Sequence, residues 1–352
     1  MERIKILGGG PSGLTAAINL GKAGFDVDVY EINTDVGGRF HGDLQGLENW
    51  SEKEDRVDEF RRMNIKVNFD CYPFSRVTLT NGLKSREVST PRPLYYLVKR
   101  GPVQGSLDQG LKNQALDLGV KIHFKETIPE CEADIIATGP MRGRVVGVVR
   151  GITFKTDVDD TAILLFNDNS GRKGYSYLLV VEGYGCMCSV VIGEPSRSEE
   201  CFESTKDFYS RMLDLRIEEP QYCGGVGTFS IKNKFSEGGR LFVGEAAGLQ
   251  DFLWGFGMRY AVTSGYLAAE SIINNEDYEE KAKKTFNSKL KASVVNRFLW
   301  EKLGRGGYSP IIDNADFVKS ILYSIHNYNP LQRMIYPIAL SQLKKEYPEI
   351  TR

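Results

Sequence analysis

The stretch Arg3-Ile4-Lys5-Ile6-Leu7-Gly8-Gly9-Gly10-Pro11-Ser12-Gly13, continuing as Leu14-Thr15-Ala16-Ala17-Ile18-Asn19-Leu20-Gly21-Lys22-Ala23-Gly24, decides how this chain folds. Its first five residues read as a short strand, the glycines as a turn, and the apolar residues beyond recur at helical spacing. Val27-Asp28-Val29-Tyr30 then alternates like a second strand and ends on Glu31. Strand, glycine turn, helix and acid-tipped strand fit within about thirty residues, the length of a dinucleotide-binding unit. Gly8 makes the tight turn, Gly10 lets the backbone approach a pyrophosphate, and Gly13 lets helix and strand pack closely. The helix N-terminus offers oriented N–H groups to phosphate, and Glu31 can accept hydrogen bonds from a ribose diol. The glycine fingerprint alone is weak evidence; in this context it predicts a dinucleotide site.

The 352 residues carry 45 Lys and Arg against 46 Asp and Glu, with 41% apolar residues. That balance excludes a nucleic-acid binder by charge, and the length excludes a disulfide-stapled miniprotein. No run approaches the ~18 apolar residues of a membrane-spanning helix, and the opening residues lead straight into a strand with no room for a signal peptide; a cytoplasmic protein is expected. Six cysteines (Cys71, Cys131, Cys186, Cys188, Cys201, Cys223) and three histidines (His41, His123, His326) are scattered, without a C-x-x-C pair or a histidine pair at ligand spacing, so no metal site is expected. Cys186-Met187-Cys188 lies in an alternating run that points both thiols to one face; its plainest reading is two small buried residues.

Three further segments identify the dinucleotide. Gly37-Gly38-Arg39 resembles the glycine doublet of flavoproteins, where the chain passes under the FAD pyrophosphate and isoalloxazine; read blandly it is a flexible turn. Glu132-Ala-Asp-Ile-Ile-Ala-Thr138-Gly139 is similar to the A-T-G motif of FAD-binding domains. Gly239-Arg-Leu-Phe-Val-Gly-Glu245-Ala-Ala-Gly248 delivers another acid at a strand tip, followed by Gly255-Phe-Gly257-Met258 and a helical run. With Arg100 and Ser106-Leu107-Asp108-Gln-Gly-Leu111, these segments resemble the geranylgeranyl reductase family, within the p-hydroxybenzoate-hydroxylase-like flavoproteins, over most of the first 275 residues.

The resemblance implies an α/β fold: a Rossmann-like FAD-binding domain with a parallel sheet, an inserted, mostly antiparallel substrate domain and a helical C-terminal region. It implies an FAD site lined by Gly8, Gly10, Pro11, Ser12, Gly13, Glu31, Ile32, Gly38, Arg39, Arg100, Ile128, Thr138, Gly139, Glu245, Gly248, Gly257 and Met258. The chain departs from the family where Glu245 replaces an aspartate, where Phe252-Leu-Trp254 replaces a proline-led turn, and where Gly101–Gly105 widens the gap between Arg100 and Asp108.

Expected boundaries are 1–70, 99–150 and 235–275 for the FAD domain, 71–98 and 151–234 for the substrate domain, and 276–352 for the helical region. Thr161–Phe166, Tyr175–Val181 and Cys186–Ile192 read as an antiparallel meander that roofs the flavin, completed by a helix over 199–215, a strand over 227–231 and a hairpin around Asn81-Gly82. The tail from Glu276 has 13 basic against 9 acidic residues. Its amphipathic segments 315–326 and 331–345, interrupted by Pro330 and Pro337, either pack on the body, the commoner fate of such a stripe, or rest against lipid as a peripheral membrane contact.

The expected function is FAD-dependent reduction of carbon–carbon double bonds in an isoprenoid or isoprenoid lipid. The alternatives are a flavin monooxygenase or dehydrogenase on a smaller apolar substrate, and a flavin-binding protein without turnover. His41, just past the glycine doublet, is a proton-donor candidate, read blandly an exposed or packing histidine; Cys186 or Cys188 on the roof and Tyr175 or Tyr177 are further candidates, and Trp254 belongs to the substrate pocket. No second glycine fingerprint follows a strand, so electrons come from docked NAD(P)H, from a ferredoxin-like carrier protein or from the substrate.

Overall fold

Ile4, Ile6, Val27 and Val29 are fully buried, which places β1 (Arg3–Leu7) beside β2 (Asp26–Glu31) in parallel register in the computed structural model. The structure describes residues 3–140, 145–231, 234–304 and 308–351. β1 and β2 join β8 (Lys121–Phe124), β9 (Ile135–Ile136), β15 (Ser236–Glu237) and β16 (Arg240–Phe242) in a sheet ordered β15-β16-β9-β1-β2-β8, parallel except at the β15–β16 edge. Helix α1 (Pro11–Lys22) crosses α5 (Met258–Asn274) so closely that a Cβ on Gly265 would lie 2.1 Å from the Ser12 carbonyl oxygen.

A second, seven-stranded sheet runs β14-β10-β13-β12-β11-β5-β6. Its strands are β5 (Arg76–Thr80), β6 (Ser85–Ser89), β10 (Gly147–Lys155), β11 (Thr161–Leu165), β12 (Tyr175–Val181), β13 (Tyr184–Ile192) and β14 (Glu218–Gly227). The expected meander is β11-β12-β13, and the expected hairpin is β5-β6. Alternation gives the sheet two faces. Ile152, Leu178 and Met187 pack under α4 (Ser198–Leu213) with Phe202 and Tyr209, while Leu179, Cys186, Cys188 and Cys223 pack toward the parallel sheet with Leu44, Trp50 and Tyr95. Between the two sheets lies a three-stranded one made of β3 (Leu44–Glu48), β7 (Tyr95–Lys99) and β4 (Tyr72–Phe74).

Two expectations are corrected. The last strand of the second sheet is 218–227, not 227–231, because Gly147–Lys155 supplies a partner for that whole run. Pro337 does not interrupt the tail: α9 (Pro330–Glu346) continues through it, while Pro330 occupies the first turn, where a missing N–H costs nothing. The remaining helices are α2 (Arg56–Arg62), α3 (Leu107–Asp117), α6 (Tyr278–Gly304), α7 (Ser309–Asp313) and α8 (Ala315–Ser324). α9 buries Ala339 and Leu343 and leaves Leu331, Met334 and Ile338 exposed. No described helix is long and apolar enough to cross a membrane.

Candidate cofactor and substrate site

The β1–α1 turn is built as the glycines require. Gly8 has φ +110°, a region costly for any other residue, and a Cβ there would strike the Ala137 carbonyl oxygen at 2.3 Å; one on Gly13 would strike the Gly8 carbonyl at 2.1 Å. A Cβ on Gly10, by contrast, would meet nothing within 4 Å. Gly10 is also the N-cap of α1, with no side-chain cap and Pro11 behind it, so the first-turn N–H groups take no partner from the cap residue.

Glu31 is buried. Its Oε2 accepts the Gly9 N–H at 2.8 Å, and its Oε1 accepts the Asn33 N–H at 2.9 Å and the Asn33 side-chain amide at 2.6 Å. A carboxylate has about four acceptor positions, so the protein uses three and one is left for a ribose hydroxyl. Ile32 next to it is exposed, and Ile128, half-buried, belongs to the loop whose Lys125 and Glu126 N–H groups bond Asn33 and Glu31.

The second half of the site comes from far along the chain. β16 ends in a turn, 244–247, in which Gly244 N–H is accepted by Ser264 Oγ at 2.9 Å, while a Cβ on Gly244 would lie 2.7 Å from Ser12 Oγ. Glu245 pairs with Arg39 at 3.1 Å, and Arg39 also donates to the Val226 carbonyl of β14. A Cβ on Gly139 would lie 3.7 Å from that guanidinium, and one on Gly257 would lie 3.8 Å from Glu245 Oε1. Gly139 and Glu245 thus meet at Arg39, while Gly244 closes on Ser12 and Thr138 on Gly8. Gly257, the N-cap of α5, supplies no side-chain cap either; the start of α1 abuts α5 at Gly265, about two turns beyond that terminus.

Arg100 is buried and paired within the chain. Its guanidinium binds Asp108 through two hydrogen bonds, at 2.8 and 3.0 Å, reaches Gln45 at 3.3 Å and stacks on Phe40 at 4.4 Å. Burial opposes its charge, but Asp108, Asp43 and Glu245 hold it protonated, above its ordinary range.

His41 is exposed, and its backbone N–H binds Asp43, a buried carboxyl that desolvation and the neighbouring Cys223 push up to about 6. Trp254 is half-buried in an aromatic cluster, edge-on to Trp50, Phe256 and Trp300 at 6.4, 6.3 and 5.8 Å. The indole N–H groups of Trp50, Trp254 and Trp300 and the Tyr95 hydroxyl are buried there without a partner. A cavity of about 10 Å³, room for about one water, is lined by Gly46, Glu48, Phe256, Met258, Arg259 and Tyr260 beside the start of α5.

The scattered cysteines are a further correction. Cys186 Sγ lies 3.8 Å from Cys188 Sγ, which lies 3.8 Å from Cys223 Sγ, and all three thiols fall within one 4.8 Å group. Sequence spacing hid this trio because Cys223 arrives through strand register. The reading from sequence also missed a buried charge network in which Arg259 faces Glu48, Glu52 and Glu59, and Glu48 faces His326; a Glu48-x-x-x-Glu52 spacing was its only local sign.

Asp251 carries a pH prediction. Its Oδ2 accepts the Trp254 N–H at 2.7 Å, its Oδ1 is buried without a partner, and burial raises its pKa to about 7. A carboxyl whose folded pKa is raised contributes stability below its unfolded pKa that is lost as pH rises through about 7. Asp251→Asn keeps the acceptor for Trp254 and removes the titration. Between pH 5 and 8 the wild type should lose about 2 kcal/mol relative to the variant, read from urea unfolding across pH; parallel curves for the two proteins would refute the buried titration.

Residues 6–46 match the family described as an NAD(P)-binding Rossmann-like domain. No curated protein matches the chain. Among solved structures, a geranylgeranyl bacteriochlorophyll reductase-like protein from Thermoplasma acidophilum superposes with a TM-score of 0.64 at 18% identity, covering 99% of this chain and 98% of its own. The flavin-dependent brominase Bmp2 superposes with a TM-score of 0.66 at 14% identity over 97% and 99%. The fold is that of the flavoproteins. It is also shared by p-nitrophenol 4-monooxygenase PnpA from Pseudomonas putida DLL-E4, with a TM-score of 0.55 at 14% identity over 98% and 99%. One flavoprotein scaffold thus carries reductase-like, halogenating and oxygenating relatives, and the chemistry of this chain must be argued from its own residues.

Proposed function

We propose that the protein is an FAD-dependent oxidoreductase that reduces carbon–carbon double bonds of an isoprenoid or isoprenoid lipid. The observation that carries the cofactor is the open space over Gly10 at the start of α1, beside a Glu31 carboxylate with one acceptor position left. The α1 terminus would hold the pyrophosphate, Glu31 a ribose, and Glu245 the ribityl hydroxyls, with Arg39 orienting its carboxylate. The α5 terminus favours negative charge beside the ring system. Bound FAD would supply, once reduced, a hydride to one carbon of the double bond.

The chain's own residues position the substrate and exclude water. Trp50, Tyr95, Trp254 and Phe256 offer an apolar, aromatic wall beneath the second sheet, suited to an alkene that has no polar group to bind. His41, exposed at the rim before Leu44, is the side chain we assign to deliver the proton to the other carbon. The exposed Leu331, Met334 and Ile338 of α9, beside Arg333, supply an apolar face with a cation for contact with a membrane that holds a greasy substrate. Electrons come from NAD(P)H or a ferredoxin-like carrier.

A second reading, a flavin monooxygenase on a smaller apolar substrate, is supported by the fold shared with p-nitrophenol 4-monooxygenase PnpA. Anaerobic incubation of the reduced protein with a polyprenyl lipid, followed by mass spectrometry, separates them. The reductase adds two hydrogens per double bond without oxygen. Incorporation of an oxygen atom, only when air is admitted, would overturn the reductase assignment in favour of hydroxylation, and an unchanged lipid under both conditions would leave a flavin-binding protein without turnover.

A further inference from the structure

We propose that Cys186, Cys188 and Cys223 form a binding site for a soft, thiophilic metal cation of the Zn²⁺ or Cu⁺ class. Strand register builds it. Gly151 on β10 is paired with Cys188 of β13 on one side and with Cys223 of β14 on the other, and Cys186 stands two residues from Cys188 on the same face. Gly151 is the notch that lets them converge: a Cβ there would lie 2.3 Å from Cys188 Sγ. Cys186 and Cys188 are fully buried and Cys223 is 9% exposed.

The spacing fits a metal. A tetrahedral ion with metal–sulfur bonds of about 2.3 Å has sulfur–sulfur edges of about 3.8 Å; the Cys186–Cys188 and Cys188–Cys223 edges are 3.8 Å and the third lies within 4.8 Å. The same geometry disfavours a disulfide. Cys188 and Cys223 are separated by the intervening strand β10, two spacings or about 9.6 Å between backbones, beyond the ~7 Å that a disulfide spans. Cys186 and Cys188, on one strand with parallel side chains about 6.7 Å apart at the backbone, lie at the edge of that range. Thiolate donors select soft d¹⁰ cations over Mg²⁺ or Ca²⁺. Binding joins each thiolate to the cation and releases the thiol protons to solvent; no electron is transferred.

The test uses the full chain, reduced and freed of metal with a chelator. Titration with Co²⁺ as an optical probe should give one equivalent bound and a thiolate-to-cobalt charge-transfer band, which one equivalent of Zn²⁺ then bleaches; a parallel anaerobic titration with Cu⁺ shows which ion of the class binds more tightly. Cys188→Ser and Gly151→Ala should each weaken binding at least tenfold, whereas Cys131→Ser, at an exposed and remote cysteine, should leave it unchanged. Circular dichroism and flavin absorbance, recorded for every variant, separate loss of the site from loss of the fold or of the cofactor. A wild-type protein that binds neither Co²⁺ nor Cu⁺ with all six thiols reduced, an equal effect from Cys131→Ser, or an intact mass showing a disulfide within the trio would overturn the proposal.

Discussion

Glu31→Arg is expected to leave a folded, colourless protein. In the wild type the Glu31 carboxylate accepts three hydrogen bonds from Gly9 and Asn33, and it lies under Gly9 so closely that a Cβ there would be 3.1 Å from Oε2. Arginine removes the acceptor, frees the Gly9 N–H and needs room that the turn does not have. Hydrogen bonds to a charged group are worth about 1.5–3 kcal/mol, so losing the acceptor and misplacing the turn should weaken FAD by at least ~100-fold. Glu31→Gln, which keeps one oxygen, should fall between, at roughly tenfold. The readout is flavin absorbance of the purified protein, with dissociation constants from fluorescence titration of added FAD. A Glu31→Arg protein that retains full flavin absorbance would refute the placement of the ribose.

That this site can be read from the sequence at all follows from its locality. Turn, helix and second strand are adjacent in the chain, and what each glycine must do depends on its neighbours: Gly8 on its positive φ, Gly13 on contact with Gly8 five residues back. The same holds for the β11-β12-β13 meander. The residues that escaped prediction belong to contacts whose partners lie far apart in sequence. Cys223 joins Cys188 only because both pair with Gly151, a relation of strand register that no spacing rule encodes. Arg259 reaches Glu48 from helix α5, and His326 reaches it from the turn after α8. The strand at 218–227 was misplaced for a related reason: its glycines and polar residues lack an apolar alternation, and it is held instead by the long ladder to β10.

Arg100 and Asp108 show how a local motif can hide a structural task, and they carry the second large effect. The family likeness gives Arg100 to the cofactor; its side chain is buried with Asp108 as its main partner, and Asp108 Oδ2 also accepts the Gly101 N–H at 2.8 Å. The loop Gly101–Gly105 is thereby tied to the start of α3, whose N-cap Ser106 donates its hydroxyl to the Gly101 carbonyl at 2.6 Å. The inserted residues widen the sequence gap without breaking the pair, because the loop folds back on itself. Removing one partner of a buried ion pair leaves the other charge uncompensated, at a cost of about 3–5 kcal/mol. Asp108→Ala should therefore lower stability by that order in urea unfolding. Asp108→Asn should lose nearly as much despite its matching shape, since the Arg100 charge stays buried. The double variant Arg100→Met with Asp108→Leu should recover much of the loss, because it removes both charges together. Had Arg100 served only the cofactor, Asp108→Asn would change flavin affinity and leave the unfolding curve of the apoprotein where it was; a wild-type midpoint for that variant would overturn the structural assignment.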